Sequence, residues 1–349
     1  MAEFANVPMK TIGPMKIIGQ EVNDEIIVPL ATYETPLWAT TNRGAKVSRQ
    51  CGGIRATLID ERMCRSIVLE ASSAQDAVNV ALHLKTQFAT LQQLITEKSR
   101  FAKLLDIHHQ IIGNLLYLRF ELSTGDASGH NMVTQAADSI MNWLLSQFTC
   151  LKHVSVSGNF CVDKKVSAVN GILGRGKNVV TEILIPRKIC HETLKTEPEL
   201  IVELNLKKNL IGSNIAGSLR SANAHFANML LAFYIATGQD GANVVEGSQG
   251  IVHTEMRQDE LYFSATLPNI IVGTVGNGKG LPFVQENLTI MGCHANNAPG
   301  INAKRLAIIC AGAVLCGELS LMAAQTNPGE LMRSHVAMER HGIIEKSTV

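Results

Sequence analysis

The sequence predicts an α+β fold, not a Rossmann fold: a large mixed helical and strand domain carrying a smaller inserted ferredoxin-like unit of order β-α-β-β-α-β. Three observations predict it. Between residues 66 and 156 the apolar pattern runs through strand and helix periods in that order. The flanking stretches, 1–65 and 157–349, each carry strand and helix patterns that share one core only if they pair with each other. Hydrophobic residues make up 46% of the 349-residue chain and aromatics 5%, so the core is built mostly from Ala, Val, Ile and Leu. At about 150 residues per domain, the length suits two domains.

The first sixty-odd residues read as short strands and turns. Val28-Pro-Leu-Ala-Thr32 is extended, and Thr41-Asn-Arg-Gly44 is a turn or helix-start signal. In the inserted unit, 66–71 is a strand. Ser73 N-caps a helix running to about Glu97, with Ala77, Val80, Ala81 and Leu84 at helical spacing. Strands near 104–107 and 115–121 form a hairpin turning at Ile112-Gly-Asn114; a helix at 131–148 and a strand at 151–157 complete the unit. Beyond it come a strand at 179–185, helix from about 198 to 238, more strand within 251–271, and a long buried helix at 302–326.

Composition excludes several function classes. The 31 basic and 30 acidic residues nearly cancel, leaving no footprint for nucleic acid. A bound anion must therefore be held by local groups. Eight cysteines without a CxxC pair give no zinc spacing and read as reduced, buried thiols of a cytoplasmic protein. No metal is expected. The N-terminus shows no signal-peptide pattern. Residues 306–324 are apolar enough for a membrane helix, but Glu318, Gly312 and Gly317 within them favour a core helix.

Several motifs bear on chemistry. No GxGxxG stands in a strand-turn-helix context. Gly273-Thr-Val-Gly-Asn-Gly-Lys-Gly280 is either a tight turn or a close backbone approach to a phosphate-bearing cofactor. Ser157-Gly-Asn-Phe-Cys-Val-Asp-Lys-Lys165 is either a solvated turn or a cation, steadied by a carboxylate, aimed at a carbonyl oxygen. Asp240 ends an apolar helix, where a carboxylate is unfavourable unless a cation compensates it. Taken singly, Glu34 and His335 carry only a weak functional signal.

Together these pieces resemble the 3-hydroxy-3-methylglutaryl-CoA reductase family in kind, order and spacing, over about residues 7–338. The carrying stretches are 31–44, Gly125-Asp-Ala-Ser-Gly-His-Asn-Met132, 157–165 with Gly174-Arg-Gly-Lys177, 203–213, Asn223-Ala-His225, Gly238-Gln-Asp240, Gly273–Gly276, Gly317–Ala324 and Arg333-Ser-His335. The likeness is to the class shared by eukaryotes and archaea, without the membrane helices of eukaryotic members.

The resemblance implies NADPH-dependent reduction of the thioester to mevalonate and CoA. It implies catalytic roles for Glu34, Lys164, Asp240 and His335. Arg65, Ser157, Asp163, Lys165, Lys208 and Asn228 are the implied substrate contacts. Ser99 and Arg100 would grip the 2′-phosphate of NADP, for which a planar guanidinium is suited. Asp126 and Asn131 would lie near the nicotinamide end. It further implies a homodimer or higher oligomer with the active site at the subunit interface.

The match departs from the family at Ser128 and His130, where methionine is usual, at Asn277 and Lys279, and at Arg220 and Ser221. The small N-terminal helical region of relatives is missing or eroded. These departures leave a second reading, a non-catalytic protein that binds a CoA thioester on the same fold.

Overall fold

The computed structural model describes residues 5–336, whose ten strands are hydrogen-bonded into a main path of seven with three more branching from β3. β1 (Met9–Ile18) and β2 (Asn23–Ala31) form an antiparallel pair. α1 (Pro36–Gln50) follows, with proline in its first turn, where the missing N–H costs nothing. The expected turn at Thr41–Gly44 lies inside α1. Gly44 is there because a Cβ would overlap the carbonyl group of Cys316. The glycine marks a close helix-to-helix approach, not a turn.

β3 (Ile54–Ala71) is 18 residues long and begins well before the expected strand at 66. Its first half pairs antiparallel with β7 (Gly176–Pro186), from Arg55 opposite Glu182 to Arg62 opposite Gly176. Its second half pairs with β5 (Leu115–Ser123), from Met63 opposite Leu122 to Glu70 opposite Leu115. The charged run Asp60-Glu61-Arg62 at the crossing blurs the alternation a strand normally shows.

The expected helix from 73 to 97 is two helices, α2 (Ala74–Thr86) and α3 (Phe88–Thr96). No glycine or proline separates them. Thr86 Oγ1 donates to the His83 carbonyl oxygen, and Thr90 Oγ1 donates to Gln87 Oε1, offering local alternatives to the helical ladder. Ser73 is the N-cap, accepting from the Asp76 amide. β4 (Lys103–Ile112), β5, α4 (His130–Gln147) and β6 (Leu151–Ser155) complete this part. The local strand order is β6-β3-β5-β4, all antiparallel.

Beyond α5 (Ala168–Leu173) and β7, α6 (Pro198–Leu204) runs into a π-helical stretch, Asn205–Gly212. A two-residue β8 (Ser221–Ala222) precedes α7 (Phe226–Ala236). β9 (Gly250–Arg257) and β10 (Glu260–Ile270) extend the first sheet to the order β2-β1-β3-β7-β10-β9-β8. α8 (Pro282–Ile290), α9 (Ile301–Gln325) and α10 (Glu330–His335) end the described chain.

Buried hydrophobic side chains gather into two clusters. One surrounds α9 and includes α1, α7, β1 and β10; the other lies between α2–α4 and the β6-β3-β5-β4 strands. α9 is long and apolar enough to cross a membrane, yet almost all of it is enclosed by protein. Its one acid among the buried positions, Glu318, accepts backbone N–H groups from Ala224 and, at 3.0 Å, His225.

Gly44→Ala is expected to destabilise the protein by about 1–3 kcal/mol, the usual range for forcing an atom into a filled contact. Urea denaturation reads this directly, and an unchanged midpoint would show that α1 and α9 can separate at no cost.

Candidate active site

The loop from Ser157 to Ser167 holds Lys164 in a conformation that its sequence does not favour. Asn159, Val162 and Lys164 have φ of 56°, 46° and 55°, a left-handed region that costs non-glycine residues about 1–3 kcal/mol each. Buried polar groups impose it. Asn170 donates to the carbonyl oxygens of Cys161 and Val162 at 3.1 and 3.0 Å, while its Oδ1 accepts from Arg119 at 2.8 Å. The Lys164 amide donates to Glu246 Oε1 at 3.1 Å. Arg175, 1% exposed, bridges that carboxylate and Asp163 at 2.7 and 2.8 Å. Burial pushes Glu246 upward, and Arg175 opposes this.

Lys164 Nζ lies 2.6 Å from Asp240 Oδ2. The contact holds the ammonium above its ordinary range and the carboxyl below its own, so both are charged near neutrality. Asp240 stands just past α7, and its Oδ1 caps the next turn by accepting from Ala242 N at 3.0 Å. The glycine loop holds this corner. Gln239 exchanges two 3.0 Å hydrogen bonds with the backbone of Gly273. Gly238 and Gly278 approach so closely that a Cβ on either would meet the other's carbonyl oxygen. Lys279, buried and pushed down to about 8, donates to the Gly238 carbonyl oxygen. Asp240 and Lys164 thus line one cleft of about 530 Å³ with Arg65, Asp163, His130 and Asn131.

Arg65 contacts Asp163 at 3.4 Å, and Lys165 Nζ donates to the Asp163 carbonyl oxygen at 3.1 Å. Ser157 ends the approach to the loop, its amide held by Ser155 Oγ at 3.0 Å.

Glu34 lies elsewhere within this one chain. Its Oε2 accepts from Asn228 Nδ2 at 2.8 Å, in a second cleft of about 400 Å³ with His225, Arg43 and Leu331. The two clefts have no lining residue in common. Lys208, lowered by burial and supported by Glu318, is electrostatically linked to His225, which burial pushes down to about 4. Arg43 ties α10 to this cleft through Ser320 and, at 3.0 Å, Glu330. His335 is the last residue of α10, but its side chain lies outside the described residues.

Of the cofactor candidates, Asn131 lines the first cleft, whereas Ser99, Arg100 and Asp126 do not. Asp126 accepts from the amides of Gly300 and Ala303, both at 2.9 Å, and so caps α9. Ser99 Oγ accepts from the amides of Phe101 and Ala102, and the Arg100 guanidinium lies 4.7 Å from the Phe101 ring centre. Phe101 packs beside Gly125. The 18-residue α4 points an N-terminus without a side-chain cap into the cleft. Gly276, at φ 98°, has open space where a Cβ would stand. Free helix amides, a basic side chain and an open glycine position fit an anionic dinucleotide. Among the described residues one group is close enough to hold an ion, Asp106, His108 and Glu121, and Glu121 is already bonded to Arg62 and Arg119.

Sequence reasoning gave no role to Arg175, Glu246 or Asn243. Arg175 stood in plain view between Gly174 and Gly176, both at positive φ; a lone arginine held between two glycines was the available signal.

Fold and site define an α+β protein with a lysine–carboxylate cleft beside a helix N-terminus that has no side-chain cap. The family model for hydroxymethylglutaryl-coenzyme A reductase matches residues 3–340, and the chain belongs to that family. It is 46% identical to the 3-hydroxy-3-methylglutaryl-coenzyme A reductase of Pyrococcus horikoshii over 97% of this chain and 83% of that one. To the enzyme of the same name from Aeropyrum pernix it is 44% identical, over 97% and 80%. The fold superposes on the NADPH-bound class II enzyme of Streptococcus pneumoniae in open conformations with a TM-score of 0.73, at 18% identity, over 93% and 86%.

Replacing Arg175 by methionine leaves Asp163 and Glu246 without their buried cation. A loss of about 3–5 kcal/mol in urea denaturation is expected; a smaller loss than for Gly44→Ala would show the pair to be solvated. Glu318, raised to about 7 by burial, holds its proton more tightly folded than unfolded, where 4.5 is ordinary. Its contribution is full below pH 4.5 and is lost as pH rises through 7. Glu318→Gln should therefore gain on wild type across that interval in pH-dependent thermal melts.

Proposed function

We propose that this chain reduces 3-hydroxy-3-methylglutaryl-CoA to mevalonate and CoA with NADPH, in two hydride transfers. Family membership supports the reaction, and the 2.6 Å contact of Lys164 with Asp240 in an open cleft carries the mechanism. NADPH, when bound, supplies the hydride. The Lys164 ammonium steadies the negative charge that grows on the thioester carbonyl oxygen. Asp240, kept ionised by that same lysine, fixes the ammonium in place. Glu34, aimed by Asn228, gives its proton to the aldehyde oxygen in the second reduction. His335 protonates the departing CoA thiolate, a task for a group titrating near neutrality. Asp163, Arg65, Ser157, Lys165 and Lys208 hold the hydroxymethylglutaryl group.

Residues 66–156 are read as a ferredoxin-like cofactor domain and 1–65 with 157–349 as the substrate and CoA domain. The strand order β6-β3-β5-β4 and the separate hydrophobic cluster support this division. Ser99 and Arg100 favour NADPH over NADH, and Asp126 and Asn131 shape the nicotinamide end. The eight free cysteines suit a cytoplasmic enzyme.

Each active site is assembled from two chains, the lysine loop facing the Glu34 cleft of its neighbour. The separation of the two clefts within one chain supports this. So do the apolar side chains exposed around the loop: Val166, Ile172, Ile215 and Leu219 are 47%, 67%, 80% and 42% exposed. Gln249 ties this surface together by bonding the carbonyl oxygens of Ser167 and Leu219.

Lys164→Ala is expected to lower thioester-dependent NADPH oxidation on the order of 10² to 10³-fold. Wild-type protein that binds the thioester yet never consumes NADPH would instead establish a non-catalytic binder. Co-expressing Lys164→Ala with Glu34→Gln chains should restore about a quarter of wild-type activity, because half of the dimers then hold one intact site. No recovery would place each site within a single chain.

A further inference from the structure

We propose that His130 is a positioning residue of the lysine cleft: an imidazole oriented by Ser128 and Asn243, whose protonation draws Asp163 away from its arginines. For its activity the inference rests on the reductase reading; for its tautomer it does not.

His130 opens α4 and lines the same cleft as Lys164 and Asp240. Its Nε2 lies 3.2 Å from Asn243 Oδ1 and 4.0 Å from Asp163 Oδ1. Both neighbours are acceptors, so Nε2 carries the proton. Nδ1, 3.4 Å from Ser128 Oγ, is then free to accept the serine hydroxyl. The Nε2–H tautomer gives both ring nitrogens a partner.

Burial is the largest influence against a positive charge on this ring, and the cations Arg175 and Lys164 add to it, while Asp163 and the Asn243 bond favour charge. Asp240 neutralises Lys164, and Glu246 stands behind Arg175. Arg65 and Lys279 complete the charged wall of the cleft.

Protonation changes two contacts. Nδ1 becomes a donor, so the Ser128 hydroxyl must turn away. The new cation competes for Asp163, which also holds Arg175 at 2.8 Å and Arg65 at 3.4 Å. Since Asp163 and Arg65 are the proposed grips on the hydroxymethylglutaryl group, acid should weaken substrate binding before it slows the hydride step.

Two measurements test this. In ¹⁵N-labelled protein, the His130 imidazole should show the Nε2–H tautomer at pH 7 and titrate below the ordinary 6.5, and Asp163→Asn should lower that midpoint further. An Nδ1–H tautomer, or a midpoint at or above 6.5, overturns the proposal. In wild type, KM for the thioester should rise about tenfold per pH unit below the midpoint, with kcat changing far less. His130→Gln keeps a donor to Asn243 but cannot take up a proton, and its KM should stay flat over that range. A wild-type rise in KM that persists in His130→Gln also overturns it. Absence of any NADPH oxidation by wild type would defeat the reductase reading, leaving the spectroscopic result to decide His130 alone.

Discussion

The ion network Asp163–Arg175–Glu246 is what the lysine loop depends on. Arg175 is almost fully enclosed, and its charge is tolerable only because a carboxylate stands at each end of its guanidinium. Glu246 also binds the amide of Lys164, so the charge balance and the backbone geometry are set by the same atoms. The positive φ of Lys164, costly in isolation, is held in place by the bond from its amide to Glu246 Oε1. Asn170 and Arg119 reinforce the loop from behind with bonds that a mobile surface turn would not make.

The Lys164–Asp240 contact sits on that frame and is more exposed than it. Exposed ion pairs contribute little to stability, so this one is better understood as orientation than as structure. Its second support is the glycine loop, where Gly238 and Gly278 lie backbone to backbone and Lys279 seals the corner. Two segments far apart in sequence thereby fix the separation of an ammonium and a carboxylate to hydrogen-bond distance.

Much of this was legible in the chain. The rhythm of residues 66–156 gave its strands and helices, Gly113 gave its hairpin, and the unbroken apolar run gave α9. What escaped was tertiary in origin. Gly44 reads as a turn because the reason for a glycine, the carbonyl of Cys316, lies more than 250 residues away in sequence. The break at Gln87 is made by ordinary polar side chains with no breaker to announce it. The early start of β3 is hidden because its pairing face changes partner along its length, and two half-patterns do not sum to one alternation. Lys164 and Asp240 were expected together and lie together; Glu34 was expected with them and, within one chain, stands in a different cleft. Arg175 lay in a stretch that carried the resemblance but was given no role, because buried ion networks have no sequence period.

β3, a single extended segment about 60 Å from end to end at some 3.3 Å per residue, serves as the common spar of both sheets. Bending one half relative to the other would strain hydrogen-bonded backbone instead of a loose tether. Sliding by one residue would turn every side chain over in two cores at once. Motion of the part around α2–α4 is therefore transmitted to the part around α9 as movement of one beam, and any swivelling between them must come from the other connections.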